Sequence, residues 1–197
     1  MSGVPLSVQK LTKRFEAGTV NEKLALDGLS LEVPAGQFVT VLGSNGSGKS
    51  TLFNAILGKV LPDSGKILLG EEDITRQKDY RRALNIGCLH QNPLRGTAPS
   101  MTIEENLALA YTRKASRSFF AVNHRDKITT PMITHDMDYA LSMGSRTVML
   151  SGGRVVLDLS GPERQTTTAG MLAERFYTRP RKRVEAEITS EKNENSL

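Results

Sequence analysis

Apolar and polar side chains alternate in Leu6-Ser7-Val8-Gln9-Lys10-Leu11 and again in Leu29-Ser30-Leu31-Glu32-Val33. That period of two predicts half-buried antiparallel strands. Pro34-Ala35-Gly36 supplies a turn, and Phe38-Val39-Thr40-Val41-Leu42 is a short, mostly apolar run of the kind that forms a strand buried on both faces. It leads straight into the glycine-rich Gly43-Ser44-Asn45-Gly46-Ser47-Gly48. From Lys49 the period changes: Leu52, Phe53, Ile56 and Leu57 share one helical face, and Gly58 marks the stop. Further strands are predicted at Ile67-Leu68-Leu69, at Asn85–Leu89 and over Ile128–Thr134. A helix is predicted from Thr102 to about Tyr111, with Thr102 and Glu105 spaced as a capping box. A second helix starts at Asp136, its natural N-cap. Then follow a hairpin around Ser151-Gly152-Gly153 and a short helix near Met171–Phe176. Strands mixed with helices in this order predict an α/β fold with an antiparallel portion at the N-terminal end.

Composition narrows the class. With 197 residues, 38% of them hydrophobic and 24% charged, one domain is expected. The domain is expected to span 1–178, and the residues from Arg179 to Leu197, which lack apolar periodicity, are expected to form a disordered charged tail. Cys88 is the lone cysteine, which excludes an internal disulfide framework and fits a reducing, cytoplasmic compartment. No run approaches the length of a membrane helix. The net charge of +5 is local, concentrated between Arg113 and Lys127, and most of it reads as solvated surface, so no nucleic-acid partner is expected.

Gly43-Ser44-Asn45-Gly46-Ser47-Gly48-Lys49-Ser50 fits the P-loop pattern, with a strand before it and a helix after it. The glycines allow successive N–H groups to point at phosphate oxygens, and the helix N-terminus adds its positive dipole. Lys49 neutralises the β- and γ-phosphates, and the Ser50 hydroxyl ligates Mg²⁺. A glycine-rich turn that binds nothing has no need of the Lys-Ser pair.

Several segments in this order resemble the ATP-binding subunit of an ABC transporter, importer-like in layout. They are Phe15, the Gly43–Thr51 loop, Cys88-Leu89-His90-Gln91-Asn92-Pro93, Met101–Leu107 and Met132-Ile133-Thr134-His135-Asp136. The likeness runs from about Leu6 to Phe176. It implies a P-loop NTPase fold, ATP and Mg²⁺ as cofactors, and Phe15 stacked on adenine. It further implies Gln91 near Mg²⁺ and the attacking water, and His135 at the γ-phosphate. Taken alone, Phe15 also reads as core, Gln91 as surface and His135 as an inert loop residue. The implied partners are a transmembrane permease and a second ATPase subunit, and the implied location is the inner face of the cell membrane.

Two family elements are missing between Gln91 and His135: the Leu-Ser-Gly-Gly-Gln signature, and the Walker B strand that ends in an Asp for Mg²⁺ and a catalytic Glu. The chain reads as if an internal block were removed near 123–128, leaving the central sheet incomplete. Leu150-Ser151-Gly152-Gly153-Arg154 imitates the signature but precedes a β run, and Gly-Gly there predicts a hairpin turn. Val155–Asp158 and Ile67–Asp73 imitate Walker B equally poorly, and the latter reads as a hairpin. Pro131 places its strand at a sheet edge, because proline cannot donate a ladder hydrogen bond. Three readings stand: a transporter ATPase subunit, a non-catalytic ATP-binding or permease-binding remnant, and a small P-loop kinase using Arg113, Arg117 and Arg125.

Overall fold

The computed structural model describes residues 3–88, 98, 100–102, 104, 106 and 128–175. Its strands form two four-stranded sheets. The first has the order β2-β1-β4-β5, built from β1 (Leu6–Phe15), β2 (Lys23–Val33), β4 (Ser64–Leu69) and β5 (Glu72–Asp73), all antiparallel. The second has the order β6-β3-β7-β8: β6 (Thr130–Ile133), β3 (Phe38–Gly43), β7 (Arg146–Ser151) and β8 (Arg154–Ser160). Here β3 runs parallel to both β6 and β7, while β7 and β8 form a hairpin. The helices bounded among the described residues are α1 (Lys49–Leu57), α2 (Asp79–Arg82), α3 (Met137–Ser142) and α4 (Gly161–Thr166). Residues 169–175 are helical as well.

The second sheet is covered on both faces, which is why β3 is an apolar run rather than an alternating one. Val39 and Val41 face a core shared with Leu26 and Leu29 of β2, Ile67 of β4 and Leu52 of α1. Leu42 points the other way, to Ala140 of α3, Met149, Leu159 and Leu172. Thr40 tolerates full burial because its hydroxyl donates to Ala140 O at 3.0 Å. Asp136 caps α3 as its sequence predicts: Oδ1 accepts from Tyr139 N at 2.8 Å.

Two arginines, unremarkable in the sequence, cap helix C-termini. Arg82 is 1% exposed and donates to Ala55 O and Ile56 O at the end of α1, and to Gln77 O and Thr75 O. Arg164 donates to Ala140 O, Leu141 O and Met143 O at the end of α3, and to Thr147 Oγ1. At these helix ends the last carbonyls are short of backbone donors, although Ala55 O also accepts from Gly58 N at 3.2 Å, and a cation there meets the negative end of the helix dipole.

Among the described residues the second sheet ends at β6, where Pro131 stands, as expected of a strand with a free side. The Ser151–Arg154 segment is a hairpin turn, with Gly152 and Gly153 both at positive φ (54° and 74°), and Leu69–Glu72 is a second hairpin. The strand expected at Asn85–Leu89 is not formed: residues 85–88 carry no ladder, and Leu89 lies outside the described residues. A strand exists only against a partner, and among the described residues none pairs with this segment. Conversely, β2 begins at Lys23, well before the predicted Leu29. Register shifts against β1 after Val8 and Leu11, with Lys10 at φ 46°, break the simple alternation. Asn106 N donates to Thr102 O at 3.0 Å, the start of the expected helix, while Glu105 and the remainder to Tyr111 lie outside the described residues. So do Phe176 and the tail expected from Arg179.

Candidate functional site

The glycine-rich loop joins the end of β3 to the start of α1, and backbone packing dictates its glycines. Gly43 and Gly48 have φ of 153° and 101°, and a Cβ on either would lie 2.6 Å from a carbonyl oxygen, Leu150 O and Ala25 O respectively. Only glycine permits that approach. The loop is braced from outside by the β7–β8 turn: Gly153 N donates to Ser47 O at 3.2 Å, and Gly153 O accepts from Asp27 N at 3.1 Å. An Arg154–Asp27 ion pair at 2.7 Å secures the same turn to β2. The segment that imitates the signature motif is thus a buttress for the P-loop.

Lys49 is 5% exposed, and its ammonium donates to Gly43 O and Ser44 O, both at 2.8 Å, and to Ser47 Oγ at 3.4 Å. It lies folded into the concavity of its own loop. Burial lowers its pKa from the ordinary lysine value. No carboxylate pairs with it among the described residues, so a phosphate entering the loop would meet a desolvated cation and a helix N-terminus together. Ser44, Asn45, Gly46 and Ser50 are exposed at the loop mouth, Ser47 is buried, and Thr51 is half-buried in the first turn of α1.

Phe15 closes β1 and is 38% exposed, outside the hydrophobic core, with Lys13 Nζ 5.6 Å from its ring centroid. Its cross-strand partner is Lys23, whose ammonium lies 3.7 Å from where a Cβ on Gly46 would be. The half-exposed ring and the phosphate loop therefore flank one stretch of surface. His135 follows β6, whose Ile133 is in register with Val41, and Thr134 N donates to Val41 O. It thus leaves the sheet at the level of Gly43, on the ligand side of a parallel sheet, with its side chain exposed. Gln91 lies outside the described residues, as do Arg113, Arg117 and Arg125. Sequence reasoning overlooked Lys23. The signal for it was weak, a basic residue at the head of a strand whose pattern is interrupted by Asp27-Gly28.

For Mg²⁺ the described residues offer the exposed Ser50 hydroxyl, and among them no cluster of three carboxylate, imidazole or thiol groups gathers.

The family model described as "ABC transporter" matches residues 26–156, which include the P-loop, the buttressing hairpin and His135. The chain belongs to the ABC transporter family. Within this ABC family its relatives are ATP-binding subunits. The tyrosine transport ATP-binding protein of Clostridioides difficile is 27% identical over 246 residues, covering 87% of this chain and 98% of that protein. The sulfate/thiosulfate import ATP-binding protein CysA 2 of Chromobacterium violaceum is 36% identical over 149 residues, covering 76% of this chain and 37% of that protein. The ABC fold is shared with cbiO1 of Clostridium perfringens, with a TM-score of 0.70 and 18% identity over 92% of this chain and 98% of that one. The chain is accordingly an α/β P-loop ABC cassette, the ATP-binding subunit of a transporter. No helix among its described residues is long and apolar enough to cross a membrane.

Proposed function

We propose that this chain binds Mg-ATP in the Gly43–Thr51 loop, as the ATP-binding subunit of an importer, and lacks the groups that turn the nucleotide over. The single observation that carries the binding half is the Lys49 ammonium held at 2.8 Å from Gly43 O and Ser44 O inside a glycine cradle, ready to exchange carbonyl oxygens for phosphate oxygens. Ser50 would hold the metal, which supplies charge neutralisation on the phosphates when bound. Phe15 lies under the adenine, and His135 faces the γ-phosphate.

The second half rests on the sequence. Between Gln91 and His135 there is no Walker B carboxylate pair and no signature motif. Loss of a general base alone costs about 10²–10⁴ in rate. The alignment with the Clostridioides difficile protein supports an internal gap, since it extends over 246 residues while the present chain has 197. In the family each P-loop faces a partner's signature, so two copies of this chain would leave both sites unfinished. Its partner is then a second ATPase subunit that carries a signature, docked with it on a cytoplasmic face of a membrane permease. The remnant reading, a non-catalytic ATP-binding or permease-binding chain, shares the loss of turnover, and among the described residues no observation favours the kinase.

Equilibrium titration with ATP tests the binding half: saturable binding, tightened by Mg²⁺, is expected, and its absence from the folded chain overturns the reading. In the same titration Phe15→Ala weakens ATP by about 1–3 kcal/mol, the worth of one base on one ring. It leaves tripolyphosphate binding unchanged. Equal loss for both ligands would return Phe15 to a structural role.

A further inference from the structure

Between a base lying on Phe15 and β- and γ-phosphates lying in the loop, the ribose and α-phosphate of a nucleotide must cross the intervening surface. Among the described residues Lys23 is the cation on that surface without a carboxylate partner. Lys23 is the cross-strand partner of Phe15, it is exposed, and its ammonium sits 3.7 Å from the Cβ position of Gly46, at the outer bend of the loop. The basic residues beside it are engaged elsewhere: Lys13 with Asp63 and Arg14 with Glu22, each at 2.8 Å. No ion pair with a carboxylate neutralises Lys23 among the described residues. Lys49 inside the loop and Lys23 outside it therefore flank the Ser44–Gly46 bend with two positive charges.

We propose that Lys23 is a nucleotide-binding residue that contacts the α-phosphate of a nucleoside di- or triphosphate. This rests on the reading of the loop as a nucleotide site and adds to it a second ammonium supplied by the antiparallel sheet. Every hydrogen bond of the cradle itself is made without Lys23, so its removal leaves the fold and the loop intact. Its effect is confined to affinity, and that effect is electrostatic, hence sensitive to salt.

The experiment compares wild type, Lys23→Gln, Lys23→Arg and Lys49→Ala by calorimetric titration with ATP and with ADP, at low and high salt, with melting temperatures recorded. Lys23→Gln is expected to weaken ATP and ADP by the same factor, about three- to tenfold. Lys23→Arg restores most of the affinity, and the Gln deficit vanishes when the Debye length falls to about 3 Å in high salt. Wild-type affinity in Lys23→Gln, while Lys49→Ala is impaired, overturns this inference and leaves the nucleotide site standing. A loss confined to ATP places the contact at the γ-phosphate and overturns the assignment made here. Failure of the folded wild type to bind either nucleotide overturns both the inference and the site.

Discussion

Lys49→Ala is expected to lower ATP affinity about a hundredfold while leaving the chain folded. Hydrogen bonds to charged groups contribute about 1.5–3 kcal/mol each, and an ammonium between two phosphates makes at least one to each. Two at the lower end come to about 3 kcal/mol, or roughly two orders of magnitude in dissociation constant. Stability moves differently. Burial lowers the Lys49 pKa, so the unfolded chain binds the proton more tightly than the folded one, and stability rises as pH climbs through the lowered value toward the ordinary lysine range. Lys49→Met keeps the buried stem and abolishes that rise. Its melting temperature near neutrality should equal or exceed that of wild type, while the added stability conferred by ATP is lost. A variant that still binds ATP as wild type does would show that the nucleotide does not use this loop.

Arg82→Ala is expected to cost about 3–5 kcal/mol of folding free energy, a large part of the roughly 5–15 kcal/mol that holds a domain together. The guanidinium fills a site 1% exposed and satisfies four carbonyls at 2.6–2.9 Å, two of them at the C-terminus of the helix that begins in the P-loop. Burial lowers its pKa, and the charges of Asp73 and Asp79 oppose that shift, which marks a desolvated cation held by surrounding dipoles and nearby carboxylates. Alanine removes the donor from Ile56 O, Gln77 O and Thr75 O, leaves Ala55 O with Gly58 N alone, and opens a cavity. Arg82→Lys retains the charge but cannot fork to both the α1 carbonyls and those of Thr75 and Gln77, and falls between. Urea unfolding at unchanged slope is the measurement. A loss below about 1 kcal/mol for Arg82→Ala would mean that water replaces the guanidinium at little cost.

The contrast between Lys49 and Arg82 shows what the sequence discloses. The P-loop was legible because its chemistry is local: strand, glycines, lysine and hydroxyl fall within the thirteen positions from Phe38 to Ser50, and the Gly152-Gly153 hairpin was legible for the same reason. Arg82 was not, because Tyr80-Arg81-Arg82 reads as surface charge, and only packing against α1 distinguishes the buried Arg82 from the exposed Arg81. Lys23 escaped notice because its meaning depends on a register, Phe15 opposite Lys23, that bulges in β1 set. Asn85–Leu89 failed as a strand for the complementary reason. Its residues suit a strand, but β propensity is realised only against a neighbour. Pro131 was legible as well, because a proline's missing donor is a local property, and it stands in β6, the last strand of its sheet among the described residues.

This chain is expected to hold ATP without hydrolysing it. Phosphate release from saturating Mg-ATP, measured with the purified 197-residue chain in a sample whose nucleotide occupancy is determined in parallel, tests it most directly. The expected result is an occupied site and phosphate release no faster than that of Lys49→Ala. Turnover that depends on Lys49 and reaches about 1 s⁻¹ or more, the range of ordinary enzymes, would contradict it.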